Sequence, residues 1–191
     1  KVFKNGQGSG MINTKGKEII PCKYFIGEYG TPEDWYLYEG LILKETGPNK
    51  TSFIVNRKGE KTVDLSPYIA GRYVHDPKRN NDYLPFIHVY TEKGEQQLLD
   101  LNGKPVLKKD YKSVQLFNDS ILVVREENRS GFVYNLSIKK TILSFDKNQD
   151  VYNTSFGLIQ IRKSEENSYY DAYNYYDYEG NLLKVFPQVV E

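Results

Sequence analysis

Two histidines, His75 and His88, and a single cysteine, Cys22, are the only imidazole and thiol groups in 191 residues. A zinc site wants four nitrogen or sulfur ligands, so no metal centre is expected. His88 lies within Phe86-Ile87-His88-Val89-Tyr90, where it reads as an ordinary sheet histidine. Cys22 follows Pro21 and has no base beside it in sequence; a thiol nucleophile needs a partnered base, so it reads as a small hydrophobe. A lone cysteine also leaves no internal disulfide. Asp146-Lys147-Asn148-Gln149-Asp150 alternates oxygen-bearing side chains like a calcium loop, but Val151 and Gly157 stand where such a loop needs Gly and Glu. A solvated loop between structural units is the favoured reading. No catalytic residue, cofactor or metal is therefore expected, and the chain reads as a non-enzyme.

The aromatic residues are the stronger candidates. The chain holds 17 Tyr, 9 Phe and one Trp. Trp35, Tyr36 and Tyr38 follow the polar, turn-rich stretch Gly30-Thr31-Pro32-Glu33-Asp34, and Tyr169, Tyr170 and Tyr173 open a run of tyrosines that continues to Tyr178. Tyr and Trp combine a large apolar body with a polar tip and anchor many interfaces. These six are the expected binding residues. The opposing reading is that they cover their own sheets. The expected function is a binding or scaffold module working through protein–protein contact. A module that binds carbohydrate or envelope polymer is the alternative. A small glycoside hydrolase ranks last, because it needs two carboxylates at a defined separation.

Charge narrows the field further. The net charge is +1, and no run of five or six like charges occurs. Nucleic-acid binding calls for clustered Lys and Arg, so no nucleic-acid partner is expected. The apolar runs reach only about five residues, too short to span a bilayer. Lys1 in place of an initiator Met fits a mature or trimmed product.

The elements that must position these residues repeat along the chain. Asn13-Thr14-Lys15-Gly16, Asn56-Arg57-Lys58-Gly59, Asp100-Leu101-Asn102-Gly103 and Asp177-Tyr178-Glu179-Gly180 each lie between two apolar stretches, and Asn135-Leu136-Ser137-Ile138 is a further copy without the glycine. The leading residues at 13, 56, 100, 135 and 177 are 43, 44, 35 and 42 apart, a spacing typical of propeller blades and similar repeats. An Asn or Asp side chain can bond the backbone two residues on, and glycine then supplies the left-handed residue of a bulged hairpin turn. Ile138 suits that conformation poorly, so the fourth turn is expected to be built differently. Apolar segments at 41–43, 86–89, 121–124 and 158–161 precede the last four hairpins. Aromatic-bearing segments, Tyr24-Phe25-Ile26, Tyr68-Ile69, Tyr111 to Phe117 and a weaker one near Val151-Tyr152, precede those in turn.

This pattern predicts an all-β chain of about five antiparallel units, each near 43 residues with roughly four strands, which is propeller-like arithmetic. A β-solenoid or an open sheet array is the alternative. Residues 1–191 are expected to form one repeat domain, with units near 1–21, 22–66, 67–109, 110–145 and 146–191. The first unit lacks leading strands, so it needs help from Gln188-Val189-Val190 or acts as a cap. Helical periodicity is scarce.

Gly10-Met11-Ile12-Asn13-Thr14-Lys15-Gly16-Lys17-Glu18-Ile19-Ile20-Pro21-Cys22-Lys23-Tyr24 resembles the repeat of bacterial WG-repeat (KWG-type) proteins, and Gly131-Phe132-Val133-Tyr134-Asn135 and Leu99 to Val106 keep parts of it. Ser9 and Ser130 stand where the namesake Trp would be. The resemblance implies bacterial origin, an envelope or secreted location with the cytoplasm left open, and an interaction role. It implies no catalytic residue.

Overall fold

The computed structural model describes residues 2–4, 8–25, 40–45, 51–75, 83–153, 157–163 and 172–186. Every regular element among them is a strand. The first repeat contributes β1 (Val2–Lys4), β2 (Gly8–Ile12) and the start of β3 (Glu18–Phe25). The second takes the end of β3 and adds β4 (Gly40–Glu45), β5 (Ser52–Asn56) and β6 (Lys61–Asp64). The third holds β7 (Ala70–His75), β8 (Tyr83–Tyr90) and β9 (Gln96–Asp100). The fourth holds β10 (Ser113–Leu116), β11 (Ile121–Arg125), β12 (Gly131–Asn135) and β13 (Lys140–Phe145). The fifth holds β14 (Gln149–Asn153), β15 (Ile159–Lys163), β16 (Ala172–Tyr176) and β17 (Leu182–Phe186).

Strands pair with their sequence neighbours in four sheets: β1 to β6, β7 to β9, β10 to β13 and β14 to β17. All pairings between strands are antiparallel. The first sheet spans two repeats because β3 serves both. Met11 of β2 pairs with Ile20, while Tyr24 and Phe25 pair with Glu45 and Lys44 of β4. The chain is therefore all-β, built from antiparallel meanders of three to six strands.

The described residues fall into two compact bodies, one up to Asp110 and the other from Tyr111 onward. In the first, Ile20, Leu41, Leu43, Phe53 and Val55 form one core, and Ile54, Val63, Leu65, Tyr73, Ile87, Val89 and Leu99 form another. Strand β5 feeds both. Side chains alternate faces along a strand, so Phe53 and Val55 enter one core and Ile54 the other. That is why the central strands read as unbroken apolar runs rather than alternating ones. In the second body, Phe117, Ile121, Val123, Val133 and Phe145 of the fourth repeat close on Val151, Ile159 and Ile161 of the fifth. Each fully buried aliphatic side chain contributes about 1.5–3 kcal/mol of transfer free energy.

Four of the five Asx turns share one build. The first residue's carbonyl accepts from the glycine amide, its own amide donates four residues on, and the glycine has positive φ: Gly16 (78°), Gly59 (81°), Gly103 (80°) and Gly180 (91°). The turn at Asn135 departs, as the sequence predicts. Ile138 avoids the left-handed region, which Lys139 occupies at φ 52°, and Asn135 pairs directly with Lys140. Two further turns of the same build join inner strands, at Thr91 to Glu95 and Glu126 to Ser130, with Gly94 and Arg129 at positive φ. The expected strand at Tyr68-Ile69 starts later, at Ala70, because Tyr68 N–H closes a turn onto the Leu65 carbonyl.

The third repeat has lost most of its outer strand. Pro105 cannot donate, and a single bridge between Leu99 and Pro105 remains. Gln97, almost wholly buried, replaces the missing ladder. Its amide nitrogen donates to the carbonyls of Lys109 (2.7 Å) and Leu107 (3.4 Å), and its oxygen accepts from the Leu107 amide at 3.3 Å.

Candidate binding surface

The recurrent turn is the device that joins one repeat to the next. In each Gly-bearing copy the Asx Oδ1 accepts two backbone amides, from the residues two and four positions on. The pairs are Lys15 and Lys17 at 2.9 and 3.0 Å, Lys58 and Glu60 at 2.9 and 3.1 Å, Asn102 and Lys104 at 2.9 and 2.8 Å, and Glu179 and Asn181 at 2.9 and 2.8 Å. The Asn181 side chain and these amides hold the Asp177 carboxyl below the usual carboxylate range. So locked, the turn presents its glycine outward.

Three of these glycines meet the outer strand of the preceding repeat. A Cβ on Gly59 would run into the Ile19 carbonyl oxygen, one on Gly103 into Val63 Cγ1, and one on Gly180 would lie 2.5 Å from the Ile142 carbonyl oxygen. Polar bonds reinforce the last contact. Asn135 Nδ2 donates to the Tyr178 carbonyl at 2.8 Å, and Asn118 Nδ2 donates to the Tyr178 hydroxyl at 2.8 Å. Burial raises the pKa of that hydroxyl above its ordinary value.

Strand β17 is the outer strand of the fifth repeat and pairs only with β16 among the described strands. Leu182, Leu183 and Val185 are 53%, 56% and 50% exposed. Leu183 lies between Leu182, paired with Tyr176, and Lys184, paired with Tyr175. Ile19 holds that same register place in β3, and Ile142 holds it in β13, where a following turn covers them. The apolar character of β17 on both faces, Leu182-Leu183-Lys184-Val185-Phe186, was the sequence signal for this surface.

Of the residues the sequence nominates, Trp35, Tyr36, Tyr38, Tyr169 and Tyr170 lie outside the described residues, as do Gln188, Val189 and Val190. Tyr173 is half-buried on β16, paired with Arg162 of β15 and Phe186 of β17. The acidic stretch at 146–150 forms a tight turn rather than an open loop. Gln149 N–H donates to the Asp146 carbonyl at 3.0 Å, and the Asp150 carboxylate accepts from Arg162 at 2.8 Å and Arg125 at 3.5 Å. Two guanidinium groups thus face one carboxylate.

His88 is buried and committed to its neighbours. Gln96 Oε1 accepts from Nε2 at 3.0 Å, which leaves Nδ1 to accept from the Tyr90 hydroxyl at 3.3 Å. Burial lowers its pKa from the ordinary 6.5, with Arg72 adding to the effect. Among the described residues no group of three His, Cys, Asp or Glu side chains could hold a metal ion, and no helix is long and apolar enough to cross a membrane.

A family model described as "WG containing repeat" matches residues 10–24. That segment runs from β2 through the first Asx turn and along β3 to Tyr24, where the chain passes into the next repeat. No curated protein matches the chain. Similar solved structures include HIRA(644-1017), 13% identical with TM-score 0.38 over 72% of this chain and 48% of that chain. Another is KlAtg21 in complex with the coiled-coil of AgAtg16, 12% identical with TM-score 0.40 over 80% and 54%. The WD40 domain of SCAP from fission yeast is 17% identical with TM-score 0.31 over 78% and 44%. This chain spans about half the length of those three.

Proposed function

We propose that this chain is a non-catalytic binding or scaffold module that acts through protein–protein contact. The exposed apolar outer strand β17 carries the reading, with Leu182, Leu183 and Val185 each half or more exposed. A run of large aliphatic side chains on a sheet edge that pairs with no further described strand marks an interaction surface. The titratable groups described above are meanwhile tied into structure, His88 to Gln96 and Tyr90, and Asp150 to two arginines. We read the repeats as WG repeats whose copies have lost the Trp, and we carry forward a bacterial origin and an envelope or secreted location, on the match at residues 10–24. Trp35, Tyr36, Tyr38, Tyr169, Tyr170 and Tyr173 are proposed as additional contact residues.

The test is capture from an extract of the source organism on immobilised chain. A protein partner retained by the native chain and lost with Leu182→Lys plus Val185→Lys supports the reading. Binding confined to glycans on an array, with no protein retained, would replace it with the carbohydrate-binding alternative. Changing Trp35, or Tyr169 with Tyr170, to Ala should reduce capture without lowering the melting temperature if those residues face the partner.

A further inference from the structure

Three asparagines of the fourth repeat head an Asn-X-Ser sequence in which X is not Pro: Asn118-Asp119-Ser120, Asn128-Arg129-Ser130 and Asn135-Leu136-Ser137. That triplet is the acceptor sequence for N-linked glycan on the surface loops of exported proteins. Two more, starting at Asn49 and Asn153, extend outside the described residues. Geometry separates the first three. Asn118 and Asn135 are 2% and 7% exposed, and their Nδ2 groups donate to the hydroxyl and the carbonyl of Tyr178, each at 2.8 Å. Their serine hydroxyls are engaged elsewhere. Ser120 Oγ donates to Asp119 Oδ1 at 3.1 Å, and Ser137 Oγ donates to Ser120 Oγ at 3.2 Å.

Asn128 is built the other way. It is exposed in the turn between β11 and β12, with Glu127 and Arg129 exposed on either side. Ser130 donates to its Oδ1 twice, from the backbone amide at 3.1 Å and from Oγ at 2.8 Å. A backbone N–H donates only to the oxygen of a side-chain amide, which fixes the other end of Asn128 as nitrogen. Nδ2 makes no hydrogen bond among the described residues. The turn itself is held firmly. The Glu126 carbonyl accepts from the Arg129 amide at 3.0 Å, the Ser130 carbonyl accepts from the Glu126 amide at 2.8 Å, and Arg125 Nη1 donates to the Arg129 carbonyl at 3.2 Å.

We infer that Asn128 is the acceptor of an N-linked glycan, transferred by an oligosaccharyltransferase from a lipid-pyrophosphate-linked oligosaccharide. The inference goes beyond protein binding and rests on the envelope or secreted location proposed above. In the transfer, Nδ2 attacks C1 of the first sugar. The nitrogen–C1 bond forms as the C1–oxygen bond to pyrophosphate breaks, the lipid pyrophosphate leaves with the electron pair, and Nδ2 gives up one proton to a base of the enzyme. The Ser130 hydroxyl, donating to Oδ1, draws electron density from the amide and makes that proton easier to lose. The exposed turn keeps a bulky polar sugar in water and away from the core.

The folded chain, incubated with a purified bacterial oligosaccharyltransferase and its lipid-linked oligosaccharide, should gain the mass of one glycan at Asn128 and none at Asn118 or Asn135, as mapped by peptide mass spectrometry. Asn128→Gln and Ser130→Ala should each abolish the gain at that site. Ser130→Thr, which keeps the hydroxyl, should retain it, and a melting curve on each variant shows that it is folded. No gain at Asn128 overturns the inference, as does native-level modification of Ser130→Ala or equal modification of the two buried asparagines. The chain recovered from the envelope or medium of the source organism should carry a glycan at Asn128, and a bare chain from there also overturns the inference. A bare chain found in the cytoplasm, with Asn128 still modified in the purified reaction, sinks the location reading and leaves the acceptor site standing.

Discussion

Replacing Gly59 and Gly16 by Ala, one at a time, separates what a turn needs from what repeat stacking needs. Both glycines have nearly the same backbone, φ 81° and 78°. An alanine in that region costs about 1–2 kcal/mol. At Gly16 the cost should end there, since nothing described lies within 4 Å of the new Cβ. At Gly59 the Cβ must displace the Ile19 carbonyl oxygen and lies 3.3 Å from Ile19 Cγ2. Forcing an extra methyl into a packed site costs about 1–3 kcal/mol more. Gly59→Ala should therefore lose about 2–5 kcal/mol against about 1–2 for Gly16→Ala. Gly94, at φ 75° with nothing described within 4 Å, is a second control in the same body. Urea titration measures the differences, read at unchanged m-value and at dilute protein so that association does not enter. Equal losses for Gly59→Ala and Gly16→Ala, within about 0.5 kcal/mol, would show that the approach of the turn to Ile19 carries no energy.

Three other perturbations test the remaining geometry. His88 has a folded pKa below its unfolded value of 6.5. The unfolded chain thus takes up the proton first, and stability should fall as pH drops below about 6.5; in His88→Gln this part of the slope should disappear, and an unchanged pH profile would refute the assignment. Arg129→Gly and Lys139→Gly relieve non-glycine residues at φ 71° and 52° and should each stabilise by about 0.5–1 kcal/mol, whereas Ile138→Gly should give no gain. Gln97→Ala removes the side chain that bonds the Leu107 amide and carbonyl, so it should cost about 1–3 kcal/mol; hydrogen exchange should quicken at Leu107.

The repeat was legible because its turn chemistry is local. An Asx residue followed three positions later by Gly sets the hairpin by bonds within five residues, and the anomaly at Ile138 was visible for the same reason. Outer-strand erosion in the third repeat was partly legible in Pro105. Its compensation by Gln97 was not, since that side chain reaches ten to thirteen residues along the chain to a segment with no pattern of its own. The arginines at the acidic stretch were not legible, because oxygen spacing says nothing about the cations that face it. Arg125 and Arg162 come from other strands, and pairing across β14 and β15 puts Arg162 opposite Asp150. The exposed face of β17 was not legible in its composition, since β3 and β13 carry similar aliphatic residues under a covering turn. An outer strand becomes a surface only through the lack of a covering turn, a property of neighbours rather than of composition.

The glycines of the repeat answer two different close approaches. Gly10, before the first turn, lies under the next strand of its own sheet; a Cβ there would run into the Ile20 carbonyl oxygen, with Pro21 and Cys22 backbone atoms at 2.8 Å. Gly131 in the fourth repeat lies instead against the preceding strand, where a Cβ would run into the Val124 carbonyl oxygen, and against the Phe145 ring of the next strand. The turn glycines, 59, 103 and 180, answer a demand from the preceding repeat instead. Ser9, just before Gly10, is buried to 6% exposure and pairs with Phe3 and with Tyr24, and Tyr24 stands edge-on to Phe53 at 5.4 Å. Stacking therefore asks for glycine at the turns, where a Cβ would meet the outer strand of the preceding repeat.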